Sequence, residues 1–205
     1  MKGIIYWLGH LLLLLLLAGP GIAQTKPATP TRPDSILYWQ TNRKLTPADF
    51  QNPREPVIHD KQNLILDALT VATAEVYILT EASGRRSLCV CAEFKLHRSW
   101  WNKDVPDPVE TLAHEQVHFD IVELSARKMR QHIALYLQEH GHLDEAVVLA
   151  ELGCIRGDEY ELQMRFDSET HNGTSLPMHH RWAKQVQAEL DRLAPYASTA
   201  ADCVR

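Results

Sequence analysis

The sequence predicts an α+β domain, with a small antiparallel β-sheet from the N-terminal half packed on a helical C-terminal half. Three observations predict it. Residues 70–80 are rich in β-branched and aromatic side chains, and residues 87–97 alternate apolar and polar, with a Gly-containing turn between them. From residue 108 onward apolar residues recur at three- and four-residue spacing, the period of a helix. A content of 45% hydrophobic and 23% charged residues is that of an ordinary globular chain. At 205 residues the chain is long enough for one domain with a short appendage.

The appendage is N-terminal. Lys2 precedes an unbroken apolar run, Leu11 to Ala18, that ends at Gly19-Pro20. Small residues at Gly21 and Ala23 then suit a signal peptide spanning 1–23, cleaved before Gln24. The run is short for a membrane span, so no stable span is expected after cleavage. Pro27, Pro30 and Pro33 mark 24–34 as a flexible linker, which leaves 35–205 as a single domain. Export, to the periplasm or beyond, permits disulfides. Cys89 and Cys91 fall on one face of a strand, so pairing of each with Cys154 or Cys203 is expected. A formal charge of -5 without a basic run argues against nucleic acid as a partner.

Ser35 to Gln40 reads as the first strand, and Leu45 to Phe50 as a helical turn with Thr46 as cap and Pro47 at the first helical position. Gln51 to Asn63 reads as loop. Thr70–Thr80 and Ser87–His97 form a hairpin around Ser83-Gly84-Arg85-Arg86. Trp100 and Trp101 read as packing residues. Asp107, Pro108 and Glu110 supply an N-cap, a first-position Pro and an acidic N3 residue for a helix running to about Glu139. His140-Gly141-His142 breaks it. A second helix is expected from Leu143 to about Phe166, weakened by Gly153 and Gly157, then a loop over 167–177 and a last helix from Met178 to about Leu193.

The first of these helices carries His114-Glu115-Gln116-Val117-His118. His residues four apart stack on one helix face, and neutral imidazole is a good zinc ligand. Glu115, beside the pair, is placed to act as a general base on water. Val109, Ala113, Val117, Ile121 and Leu124 make an apolar face, so the helix should be largely buried and its ionisable groups partnered. Asp120 lies about 200° round the helix from His118 and should face away, toward a buried donor.

Catalytic zinc takes three protein ligands and keeps one position open. His171, in a polar loop with Gly173 that can fold back onto the helix, is one candidate for the third ligand. Glu151, Glu159, Glu161, Asp167, His179 and His180 are further candidates for that place. Tyr160, His179 and His180 are candidate oxyanion partners.

His114 to Ile121, followed by Glu123-Leu124 and Ala126-Arg127-Lys128, resembles the core of the bacterial predicted secreted zinc-dependent protease family. Leu45-Thr46 with Asp49-Phe50 resembles that family's L-T-x-x-D-F motif, and Ser99-Trp100 its S-W. Asp167, Thr170, His171, Gly173 and Trp182 resemble its downstream D-x-x-T-x-H-G and Trp. The resemblance spans roughly residues 35 to 185 and implies a zincin-like fold, zinc ligands His114, His118 and His171, and Glu115 as base. Asn172 stands between His171 and Gly173, and Phe166 stands where the family often has Tyr. The functional expectation is an exported bacterial Zn2+ metallohydrolase acting on a peptide or protein substrate. The competing expectation is a non-catalytic binding or assembly module with a structural zinc site, which would show a fourth protein ligand.

Overall fold

The computed structural model describes residues 35–53 and 67–197. The signal peptide and linker expectations, most of the 51–63 loop and Cys203 lie outside the described residues. The architecture is α+β. Strands β1 (Ile36–Tyr38), β3 (Ala72–Thr80) and β4 (Arg86–Lys95) form an antiparallel sheet in the order β1-β4-β3. Strands β2 (Ala68–Leu69) and β5 (Trp100–Trp101) pair as a separate two-stranded ribbon. Helices α1 (Pro108–His140), α2 (Glu145–Thr170) and α3 (Leu176–Arg192) follow.

Local signals set the boundaries. The β3–β4 hairpin closes in the register Thr80↔Arg86, with Gly84 at a φ of 83°, which a side chain would resist. The turn Pro47–Asp49 is a short 3-10 helix, and Asp49 accepts from the Thr46 backbone N–H at 2.7 Å and pairs with Arg43. Asp107 caps α1 by accepting from the Glu110 N–H at 3.1 Å, and Gly141 ends α1 in the left-handed region.

Three elements differ from expectation. First, α2 runs unbroken to Thr170, so Asp167 is helical and not in a loop. Gly153 and Gly157 do not break it because both lie on its open side, with nothing within 4 Å of where a Cβ would stand. Val148, Leu152 and Phe166 anchor the opposite side in the core. Second, the alternation on β4 fails over its last half: Cys91, Glu93 and Phe94 are all buried. Glu93 is kept there by the Tyr77 hydroxyl and by Lys95 Nζ at 2.5 Å. Third, Cys154 is a free, exposed thiol, so it does not pair with the strand, whereas Cys89 and Cys91 are disulfide-bonded.

The core lies between the sheet and α1. Phe94 of β4 meets Phe119 of α1 with ring centroids 5.6 Å apart, and Phe50 packs edge-on to Phe94. Trp182, Val186 and Leu190 seat α3 on the same core, as their spacing predicts. Asp120 does face away from the histidine pair. It accepts from Trp39 Nε1 and from Gln116 Nε2, each at 2.7 Å. Among the described residues no helix is long and apolar enough to cross a membrane.

Candidate metal centre

His114 and His118 project from the buried middle of α1 toward α2, where Asp167 meets them. The His118 and His114 Nε2 atoms are 3.1 Å apart. Asp167 Oδ1 lies 3.2 Å from His114 Nε2 and 2.9 Å from His118 Nε2. Three donor atoms thus converge at the corners of a nearly regular triangle. Zinc bound at about 2.0–2.1 Å in a tetrahedral site spaces its ligand atoms by about 3.3–3.4 Å. The observed spacing is slightly under this, so small side-chain adjustments suffice to accommodate a metal ion.

The surroundings orient the ligands. His118 Nδ1 donates to Gln163 Oε1 at 2.6 Å, while Gln163 Nε2 donates to the His118 carbonyl at 3.0 Å. An amide oxygen only accepts, so Nδ1 carries a proton, which leaves Nε2, directed at the cluster, as the nitrogen that can bind a metal. Gln163 and Asp167 are four residues apart on α2, so one helix face supplies both ligand and orienting group. Phe166 is fully buried beneath the pair, stacked on His114 at 4.5 Å and edge-on to His118 at 4.9 Å. Gly173 closes the other side of His114: a Cβ there would come within 3.1 Å of the ring, at a backbone φ of 85°.

The electrostatics favour a cation at this point. Burial by itself disfavours a proton on His118, but the Asp167 carboxylate and nearby Glu115 outweigh it and raise its pKa to about 9. Burial pushes Asp167 up, and the two imidazoles more than reverse this, holding its carboxyl well below the usual carboxylate range. A divalent ion competes with that proton for the same lone pairs. Replacing Gln163 by Leu should weaken affinity for a divalent metal ion by about 10–100-fold, the usual scale for loss of an orienting partner. Competition with a chromogenic chelator measures this; unchanged affinity would mean Gln163 does not set the His118 tautomer.

Glu115 is buried beside the pair, and its Oε2 has no hydrogen-bond partner. Both histidines, Glu115 and Asp167 line one cleft of roughly 790 Å³, within the range of small-ligand and substrate sites. Its walls also include Ala68 to Thr70, Arg156, Glu159, Tyr160 and the 171–174 turn.

The structure places His171 outside the donor cluster. It caps α2 in the left-handed conformation (φ 50°, ψ 52°), exposed on the cleft rim. The helix carries Asp167 into the position expected of His171. Counted from Asp167, the D-x-x-T-x-H-G pattern puts its His at Asn172, so His171 occupies a variable position and no residue is inserted. A non-glycine residue in the left-handed region costs about 1–2 kcal/mol. His171→Gly should therefore leave metal affinity unchanged and raise stability by roughly 1 kcal/mol, read as a higher urea midpoint. Loss of the metal in that variant would restore His171 as a ligand.

Glu151, Glu161, Glu159, His179 and His180 also lie outside the donor cluster. Glu151 pairs with His132 at 2.8 Å, and Glu161 is exposed. Glu159 lines the cleft two turns before Asp167; burial lifts its carboxyl to about 7, against the opposing pull of Arg156 and Ser125. His179 and His180 gather instead around Glu110. Of the candidate oxyanion partners, Tyr160 lines the cleft and is largely exposed, while His179 is buried behind its wall. Gln163, which holds the His118 ring, is not singled out by the sequence patterns, although its place four residues before Asp167 on a helix is a usable signal. No family model matches the chain, and no curated protein or solved structure matches it.

Proposed function

We propose that this protein is a zinc-dependent hydrolase, exported from a bacterial cell and acting on peptide or protein bonds. The observation that carries the reading is the convergence of three donor atoms, His114 Nε2, His118 Nε2 and Asp167 Oδ1, beside an unpaired Glu115 carboxylate oxygen in an open cleft. Two imidazoles and one carboxylate form a donor set suited to zinc. The resemblance of the HExxH region to the predicted secreted protease family supports the same class.

When bound, zinc supplies a Lewis acid that acidifies water and polarises a carbonyl. The residues of the chain do the rest. His114, His118 and Asp167 hold the ion, and Gln163 fixes the His118 ring. Glu115, with a free carboxylate oxygen, takes the proton of the attacking water and delivers it to the leaving amine. The cleft walls hold the scissile segment and limit competing water.

A structural zinc site in a binding module would need a fourth protein ligand. Among the described residues the cluster contains three, and it opens on the cleft. That favours the catalytic reading. The test is incubation of the exported protein with an unstructured peptide library, analysed by mass spectrometry. Cleavage that stops on chelation and returns with stoichiometric zinc supports the proposal. A zinc-loaded, folded protein that cleaves nothing would shift the reading to the binding module.

A further inference from the structure

A second group of ligand-type side chains lies on the far side of His114 from His118. Glu110 stands in the first turn of α1, and His179 and His180 in the first turns of α3. Glu110 Oε2 is 3.9 Å from His179 Nδ1 and 4.0 Å from His180 Nε2. Both gaps exceed hydrogen-bonding distance. Yet one donor atom from each of the three residues falls within 4.8 Å of the others.

His179 is the informative member. It is only 3% exposed, and neither ring nitrogen has a hydrogen-bond partner of good geometry. The Ala113 backbone is a polar neighbour, but it does not complete a hydrogen bond of good geometry. Buried polar atoms are nearly always satisfied, so an imidazole with both nitrogens orphaned needs an explanation, and a bound ion is one. The rings beside it are His180 at 5.8 Å, His114 at 6.0 Å and Phe166 at 6.1 Å, and none of them hydrogen-bonds to it. Its Nδ1 instead faces the Glu110 carboxylate across a gap wider than a hydrogen bond.

We propose that Glu110, His179 and His180 form a second cation site, for a divalent transition-metal ion such as zinc or cobalt, sharing no ligand with the His114–His118–Asp167 centre. Two imidazoles and a carboxylate are the appropriate donors for such ions. Zinc ligand atoms sit about 3.3–3.4 Å apart, so closing the present gaps requires only small movements. Those movements fall to the more exposed members: the His180 side chain is 68% exposed and that of Glu110 30%. The buried His179 supplies the fixed point. Ordering two exposed side chains costs conformational entropy, so this site binds more weakly than the first. Glu110 also lines the cleft, so occupancy places positive charge on the cleft wall next to His114.

Titration of Co2+ and Zn2+ into the chelator-stripped, exported protein tests this, with equilibrium dialysis for stoichiometry and the visible Co2+ spectrum for ligand type. Wild type should take up a tight equivalent and then a weaker one. Glu110→Gln and His180→Asn, both at partly exposed positions where folding is not at stake, should each lose the weaker equivalent and keep the tight one. Asp167→Ala should do the reverse, so failure of the first centre is distinguishable from failure of the second. Uptake of a single equivalent by wild type overturns the proposal. So does a second equivalent that survives both Glu110→Gln and His180→Asn.

Discussion

Glu115→Gln should lower peptide turnover by about 10²–10⁴-fold while the protein keeps its zinc, the scale expected for removing a general base. The substitution preserves shape and removes the ability to hold a proton at neutral pH. Its environment makes the change clean. Glu115 Oε2 has no hydrogen-bond partner, and Gln adds no volume to the packed helix face. The thermal midpoint should stay close to that of wild type. The measurement is kcat on a cleaved peptide, with metal content determined on the same sample. Retained turnover in the zinc-loaded variant would remove Glu115 from the chemistry. Loss of zinc along with turnover would make it a ligand instead.

The largest effect on stability should come from Glu123→Ala. Glu123 is 2% exposed and accepts from Arg127 Nε at 2.8 Å and from Arg130 Nη2 at 2.9 Å. The two guanidinium groups reach outward from this carboxylate. Arg127 donates to the Leu190 carbonyl of α3 at 2.6 Å and lies 5.1 Å from the Trp39 ring centre. Arg130 donates to the Val90 carbonyl of β4 at 3.0 Å and to the Tyr196 carbonyl. One carboxylate therefore ties α1 to the sheet, to α3 and to the C-terminal turn. Removing it strands one buried cation, Arg127, and one half-buried cation, Arg130, and breaking such a pair from one side costs about 3–5 kcal/mol. Urea unfolding should show a loss of unfolding free energy of that size, as a lower midpoint with an unchanged slope. A shift under about 1 kcal/mol would mean that water reaches and solvates the arginines, as at a surface pair.

Local and distant causes also divide what the chain reveals about its own fold. The α+β class, the β3–β4 hairpin and both ends of α1 rest on local signals: alternation, a turn Gly, an N-cap Asp before Pro and a C-terminal Gly. Each acts over a few residues, so each is legible in the chain. Two of the three cluster donors, His114 and His118, are legible for the same reason, since their spacing on one helix makes them neighbours.

The third donor depends on where α2 ends, and that is decided at a distance. Thr170 Oγ1 donates back to the Phe166 carbonyl at 2.7 Å, and Phe166 itself is locked under the two histidines. The final turn of α2 stays helical because α1 needs that surface. The reversal is then forced into His171, Asn172 and Gly173, all at positive φ. Asp167 becomes a donor and His171 a cap. The burial of Glu93 and Glu123 is equally illegible, because their partners come from distant elements or depend on which helix face is covered.

Metal analysis of three proteins tests the central claim most directly: wild type, Asp167→Ala and His171→Ala, each exported without chelator and dialysed against metal-free buffer. The geometry leads to about one tightly held zinc per chain in wild type and in His171→Ala, and to its loss in Asp167→Ala. Zinc retained by Asp167→Ala and lost from His171→Ala would contradict it.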